Sequence, residues 1–91
     1  MKLDLNTKIK NMDGVELEGS ELNKILANSL IGEEKNIPAV QAHDWALKLW
    51  NEGIIEIEED GRRLIEEFVQ GNKTLHVLAK APLLRLIKAV R

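Results

Sequence analysis

The sequence contains no cysteine and no tyrosine, and its 91 residues include only two tryptophans, one phenylalanine and two prolines. Without cysteine, the chain forms no disulfide, offers no thiolate to a metal and has no cysteine nucleophile. A strong charge of one sign is also lacking, because the formal net charge is only −2. We therefore expect no global basic field that would hold a nucleic acid or an anionic membrane.

Long uninterrupted apolar runs are lacking as well. Charges interrupt residues 1–9, so we expect no secretory signal, and a cytoplasmic location follows as the simplest expectation. The most apolar stretch, residues 75–90, is far from a membrane span because it contains His76, Lys80, Arg85 and Lys88. With 44% hydrophobic and 31% charged residues, the composition predicts one globular domain over residues 1–91.

The N-terminal residues predict a β-hairpin. Apolar and polar residues alternate from Lys2 to Lys10, which is the period of a half-buried strand. The pair at residues 13–14 is Asp-Gly, which favours a tight turn, and Val15 and Leu17 begin a returning strand.

Two helices are predicted next. Ser20 is a good N-cap for a helix that keeps helical spacing of apolar residues to Ile31 and ends at Gly32. A polar linker leads to Pro38, which fits the first turn of a second helix that ends at Gly53.

The remaining chain predicts a strand and two further helices. Residues 54–58 are rich in isoleucine and alternate, so we expect a third short strand. Residues 60–70 favour a helix, with a hairpin turning at Asp60-Gly61 as the alternative. The last helix, within residues 74–91, contains Pro82, so we expect a kink there or a break near residues 80–81. The predicted fold is α+β, in the order ββααβαα.

The last predicted helix carries more apolar surface than one helix normally buries. We therefore expect part of it to contact a second copy or another protein. Trp45 and Trp50 are five residues apart and point in different directions on a helix, so we expect Trp45 in the core and a partly exposed Trp50 as an additional aromatic anchor. The predicted interface residues are Trp50, Leu83, Leu84, Ile87 and Val90. A basic rim around them would consist of Lys80, Arg85, Lys88 and Arg91.

Charge is distributed unevenly along the C-terminal half. Residues 52–67 have a local charge of −5, and residues 73–91 have a local charge of +5. One interpretation is a basic helix for nucleic acid, or an acidic patch for a basic partner; the other is that the two segments face each other. Nucleic-acid binding would require Lys80, Arg85, Lys88 and Arg91 to share one exposed stripe.

No combination of residues indicates catalysis. His43 and His76 lie on separate predicted elements without ligand-type spacing. Neither Ser20 nor Ser29 lies in a nucleophile elbow, and the glycines fall at element boundaries. We expect no enzyme, no cofactor and no metal site.

Four segments together resemble a known group of proteins. They are residues 12–14 (MDG), 18–28 (EGSELNKILAN), 44–50 (DWALKLW) and 78–84 (LAKAPLL). Their order resembles that of small proteins of unassigned function encoded by tailed bacteriophages and prophages. The resemblance implies a phage or prophage origin and a bacterial cytoplasm, and it implies no catalytic residue.

The expected function is that of a non-catalytic accessory protein, in assembly or regulation, that acts by protein–protein interaction. The alternative is a nucleic-acid-binding regulator that uses the basic C-terminal helix or a winged-helix-like arrangement. In that arrangement the wing tip would be Glu58-Glu59-Asp60, and its negative charges would repel phosphates.

Overall fold

The computed structural model describes residues 1–32, 37–73 and 75–90. The fold is α+β, and the predicted order of a β-hairpin, two helices, one strand and two helices is confirmed. The strands are β1 (Lys2–Asp4), β2 (Lys8–Lys10), β3 (Glu16–Glu21) and β4 (Ile54–Glu56). The helices are α1 (Leu22–Gly32), α2 (Ala39–Asn51), α3 (Glu59–Gly71) and α4 (Val77–Ala89).

The predicted N-terminal strand is divided into β1 and β2, which belong to different antiparallel sheets. β1 pairs with β4, and β2 pairs with β3 in the predicted hairpin. The backbone between β1 and β2 accepts hydrogen bonds from the start of α1. The Leu22 N–H donates to the Thr7 carbonyl (2.8 Å), and the Asn23 N–H donates to the Leu5 carbonyl (3.1 Å). These bonds satisfy N–H groups that a helix start leaves unpaired, so they explain why regular pairing is interrupted there.

Ser20 is not the N-cap of α1, contrary to the prediction. It lies in β3, which continues to Glu21 before α1 begins at Leu22. Its hydroxyl accepts a hydrogen bond from the Ile9 N–H (3.1 Å) and donates to the Leu17 carbonyl. The side chain therefore ties β2 to β3 instead of capping the helix.

The turn after α2 ends the helix as predicted. Gly53 has a φ of +75°, a conformation that glycine adopts without the steric cost of a Cβ. The neighbouring Asn6 donates from Nδ2 to the Glu52 carbonyl (3.0 Å). A Cβ on Gly53 would overlap the Asn6 side chain, so this turn is closed by a residue that has none.

The C-terminal half resolves both alternatives that the sequence leaves open. α3 is a helix whose inner face buries Ile65 and Val69, so the alternative hairpin at Asp60-Gly61, and with it a wing there, is wrong. α4 is one helix that includes Pro82, so a break near residues 80–81 is also wrong. Pro82 leaves the Leu78 carbonyl without its helical donor, and Leu78 is exposed, so solvent can reach this turn.

The hydrophobic core takes apolar side chains from every helix and from β1, β2 and β4. β1 and β4 bury the alternating set that the sequence indicates, and α1 and α2 form the most extensive contact between elements. The largest fully buried side chains are Leu3, Leu5, Leu22, Leu26, Leu30, Leu49, Ile55, Ile65, Val69, Leu83 and Ile87.

Candidate interaction surfaces

The two tryptophans of α2 have different environments. Trp45 is buried, and its ring lies close to Gly61 at the start of α3. Trp50 is 47% exposed. Five residues along a helix correspond to a rotation of about 500°, so the two rings point in different directions. The partial exposure of Trp50 agrees with the prediction, whereas its role at an interface stays a prediction.

Trp50 belongs to an exposed apolar face that extends along α2. Val40 (75% exposed) lies ten residues before Trp50, and Leu47 (47% exposed) lies three residues before it. At about 100° per residue, all three side chains lie within about 80° of one another on one side of the helix. His43 lies on the same side and is exposed. We call Val40, His43, Leu47 and Trp50 the α2 face. The sequence shows this spacing, but Trp50 is the member of the α2 face that it predicts to contact a partner.

α1 borders the α2 face at its C-terminal end. The ammonium of Lys24 lies 5.1 Å from the centroid of the Trp50 ring, which is within cation–π distance. This contact covers one side of the indole and leaves the rest accessible. The α2 face is therefore apolar with one cationic edge.

A buried polar contact fixes α1 against α2. Asn23 is 7% exposed, and its Nδ2 donates to the Leu49 carbonyl at 2.8 Å. The first turn of α1 consequently lies against the last turn of α2, next to Trp50. A buried hydrogen bond of this kind holds two elements in one relative position because leaving it unmade is costly.

The predicted interface on α4 needs correction at two positions. Leu83 and Ile87 are fully buried in the core of the single chain, so they offer no surface to a partner. Leu84 and Val90 are partly buried and pack against the same core. The large apolar side chains that α4 exposes are Val77 and Leu78 in its first turn, which the prediction did not include.

The physical reason for this correction is that α4 has more neighbours than its sequence reveals. It packs against α3, α1, β1 and β2. The apolar surplus that suggested a partner is therefore largely covered from several sides within the chain.

The predicted basic rim is spread around α4 and partly paired. Lys80 donates from Nζ to the Gln70 carbonyl (3.2 Å), and the Lys88 Nζ lies 3.9 Å from Glu66. Arg85 is exposed, and Arg91 lies outside the described residues. At about 100° per residue, Lys80 and Arg85 are about 140° apart around the helix. The described cations do not form the single stripe that the nucleic-acid alternative requires.

The histidines have separate, local environments. His43 is exposed on α2, and the His76 Nδ1 accepts a hydrogen bond from the Leu78 N–H (3.2 Å) at the start of α4. Within the described ranges, no three histidine, aspartate or glutamate side chains are close enough to hold a metal ion.

An acidic groove lies between α2 and β4. Its volume is about 410 Å³, and Trp45 and Ile55 form its apolar floor. A smaller cavity of about 270 Å³ also borders Trp45 and reaches the start of α3. The acidic residues along both are Asp44, Glu52, Glu56, Glu58 and Asp60. We call this region the acidic groove.

The groove itself was not predicted, although the acidic patch within residues 52–67, which one interpretation of the sequence assigns to a basic partner, supplies four of its five carboxylates. Asp44, Lys48 and Glu52 follow one another at intervals of four residues, which is the spacing of one helix face. Lys48 is the lysine in the groove and lies 3.3 Å from Glu52. The pairing of this face with β4 could not be read from the spacing alone.

Comparison of the chain with protein-family models, with curated proteins and with solved structures finds no match. In the part of the chain that the structure describes, no helix combines the length and the apolar character needed to cross a bilayer. The two surfaces described above therefore carry the functional argument.

Proposed function

We propose that the protein is a non-catalytic accessory protein that acts by binding another protein chain through its α2 face. The observation that carries this proposal is the continuous exposure of Val40, Leu47 and Trp50 on one side of α2. Apolar side chains grouped on a surface favour association because contact with a partner removes them from water.

The composition and support of the α2 face suit protein recognition. Tryptophan is enriched among the residues that contribute most to binding at protein interfaces. Trp50 also lies beside the buried Asn23–Leu49 hydrogen bond, so its backbone position is fixed before a partner arrives. A surface that is ordered in advance loses less conformational entropy on binding.

The resemblance of segment order to phage and prophage proteins supports a role in a bacterial host cell, in assembly or regulation. This part of the proposal depends on that resemblance alone.

The alternative function, nucleic-acid binding by α4, has less support. Lys80 and Lys88 already contact other groups of the chain, and the exposed Arg85 is the remaining described cation of the proposed rim. A titration with duplex DNA at low salt tests it, because phosphate contacts are strongest there. Saturable binding that Arg85→Gln weakens would favour this alternative.

Site-specific photo-crosslinking tests the main proposal. A photoreactive amino acid replaces Leu47 in one sample and Met12 in the matched control, since Met12 is exposed on the hairpin turn. In the native host cell we expect Leu47 to give a discrete crosslinked species, either a second copy or a partner, and Met12 to give none.

A second change in the same experiment identifies the surface. Adding Trp50→Ala is expected to remove most of the crosslink at position 47, whereas adding Val77→Ala is expected to leave it unchanged. The same crosslinking pattern from positions 47 and 12 would contradict the proposal.

A further inference from the structure

Within the described ranges, one edge of β4 has no strand partner. Its pairing with β1 places Leu3 opposite Ile55, and hydrogen bonds join Leu5 N–H to the Gly53 carbonyl (2.8 Å) and Ile57 N–H to the Met1 carbonyl (2.9 Å). In an antiparallel pair the bonded residues alternate. The N–H and C=O groups of Ile54 and Glu56 therefore point away from β1, and no strand among the described residues pairs with them.

The free edge of β4 opens into the acidic groove. The groove is bounded by Ile54 and Glu56 on the β4 side and by Asp44, Lys48 and Glu52 on the α2 side. Ile54 and Glu56 are both exposed and both line the groove, which places the unpaired edge of β4 at the wall of the groove. Exposed edges of this kind accept an added strand from another chain.

The charge of the acidic groove determines which added strands it favours. Five carboxylates line the groove and its extension, together with one lysine, Lys48. Lys48 contacts Glu52, and the N-terminal ammonium lies 3.3 Å from Glu56. The surplus of carboxylates attracts cationic side chains and repels acidic ones.

A second copy of the chain does not suit this edge. Pairing of β4 with its counterpart would bring two acidic grooves together, which like-charge repulsion opposes. The edge thus favours a partner whose charge is opposite to its own.

We propose that β4 and the acidic groove bind an extended basic segment of a partner protein by adding it as a strand to β4. Backbone hydrogen bonds to Ile54 and Glu56 supply the pairing, and lysine or arginine side chains of the segment contact the groove carboxylates. Alternate side chains of an added strand point to opposite faces, so apolar residues between the basic ones reach the floor at Trp45. This site is separate from the α2 face and stands without it.

Peptide binding to the unmodified protein gives the first test. The probe is a short, fluorescently labelled peptide of alternating lysine and valine, and binding is followed by fluorescence anisotropy at low salt. The controls are an alternating glutamate–valine peptide and two N-methylated forms of the lysine–valine peptide. One register carries the N-methyl groups at the lysine amides and the other at the valine amides, so each keeps the charge and removes the donors of one edge.

We expect the lysine–valine peptide to bind and the acidic peptide not to bind. N-methylation on the pairing edge is expected to weaken binding about tenfold or more, because it removes backbone hydrogen bonds to β4. Hydrogen exchange of the Ile54 and Glu56 amides should slow when the peptide is bound. Equal affinity for both N-methylated registers and the unmodified peptide would overturn the proposal, since it would show binding by charge alone.

A matched pair of variants tests the edge from the protein side. Glu56→Gln removes the charge and keeps the N–H, whereas Glu56→Pro removes both. Both variants lose the carboxylate that the N-terminal ammonium contacts, and neither loses a backbone hydrogen bond to β1, because the Glu56 N–H points outward. We expect Glu56→Gln to weaken binding about twofold to threefold and Glu56→Pro about tenfold or more. Circular dichroism checks that both variants remain folded, and equal affinities of two folded variants would also overturn the proposal.

The same assay separates this site from the proposed function. Trp50→Ala is expected to leave peptide affinity unchanged, because Trp50 does not line the acidic groove. A loss of peptide binding in that variant would overturn the assignment of the peptide to the β4 edge.

Discussion

The two helix pairs, α1 with α2 and α3 with α4, differ in where their exposed apolar side chains and their polar contacts lie. α1 and α2 are joined by a buried polar contact, Asn23 to the Leu49 carbonyl, and leave apolar side chains exposed on the α2 face. In α3 and α4 the large exposed apolar side chains are confined to Val77 and Leu78 in the first turn of α4, and the two helices are joined by the Lys88–Glu66 pair, in which Lys88 is exposed. The apolar-rich C-terminal sequence is thus mainly structural, whereas the less conspicuous α2 face is the better candidate for binding.

The strongest test of this comparison is to truncate one leucine in each pair. Leu83→Ala in α4 is expected to lower the free energy of unfolding by about 2–5 kcal/mol, because the side chain is fully buried and its loss leaves a cavity. Leu47→Ala in α2 is expected to cost less than about 1 kcal/mol, because nearly half of Leu47 is exposed. Urea denaturation followed by circular dichroism measures both.

The reverse order of these two losses would break the comparison. Leu84→Ala provides an internal reference, because Leu84 is partly buried on the same helix as Leu83. Its cost is expected to lie between the other two. If Leu83→Ala lowered the free energy of unfolding as little as Leu47→Ala, α4 would be loosely packed and its apolar side chains would be available to a partner.

The position of each helix and strand was largely predictable because short-range signals fix it. Glycine ends α2, and helical spacing marks the inner face of α3 at Ile65 and Val69. The division of β1 from β2 was not predictable, because it depends on β4, about fifty residues away along the chain, and on the N–H groups of α1. The periodicity of residues 2–10 carries no information about the pairing with β4 or about the hydrogen bonds from α1.

The candidate sites divide in the same way. Exposure of Trp50 followed from its angle to Trp45 on one helix, which is local information. Burial of Leu83 and Ile87 depends on four neighbouring elements, so counting apolar residues around α4 could not reveal it. The opposite local charges of residues 52–67 and 73–91 do meet at Glu66 and Lys88, as one interpretation of the sequence expected.

A smaller effect is expected at the buried polar contact between α1 and α2. Asn23→Ala removes the hydrogen bond from the Asn23 side chain to the Leu49 carbonyl. That carbonyl still accepts a hydrogen bond from the Gly53 N–H (3.0 Å). We expect a loss of about 1–2 kcal/mol in the free energy of unfolding. Asn28→Ala is the matched control, since Asn28 is exposed on the same helix, and it should change stability by less than about 0.5 kcal/mol.

The corresponding polar contact of the other pair should matter less. Lys88→Ala removes the 3.9 Å contact with Glu66 at the surface, and exposed ion pairs contribute about 0–1 kcal/mol. Thermal unfolding at low and high salt measures it. If Lys88→Ala cost as much as Asn23→Ala, the distinction between a buried and a surface contact would be lost.

The smallest expected effect concerns the charges within α3. The Arg62 guanidinium donates hydrogen bonds to Glu59 at 2.6 and 3.0 Å and to Glu66 at 3.0 Å. The hydrogen bond from Arg62 lowers the pKa of Glu59 below its ordinary value, and the positive charges of Arg62 and Arg63 act in the same direction. The pKa of Arg62 is raised by the same bond, so Arg62 stays charged throughout an acid titration.

The lowered pKa of Glu59 sets the sign of the pH dependence. The ionised form of Glu59 is favoured in the folded state, so its contribution to stability is fully present above the ordinary pKa of the carboxyl and is lost as the pH falls through the lowered pKa. Arg62→Gln should therefore raise the pKa of Glu59 toward its ordinary value, and the stability difference from the original protein should shrink in acid. Side-chain carboxyl NMR titration measures the pKa, with Arg63→Gln as the matched control. Because Arg63 acts only through its charge and not through a hydrogen bond, Arg63→Gln should move the pKa of Glu59 less. An equal shift in both variants would mean that the charges of α3 act on Glu59 diffusely and not through the Arg62–Glu59 hydrogen bond.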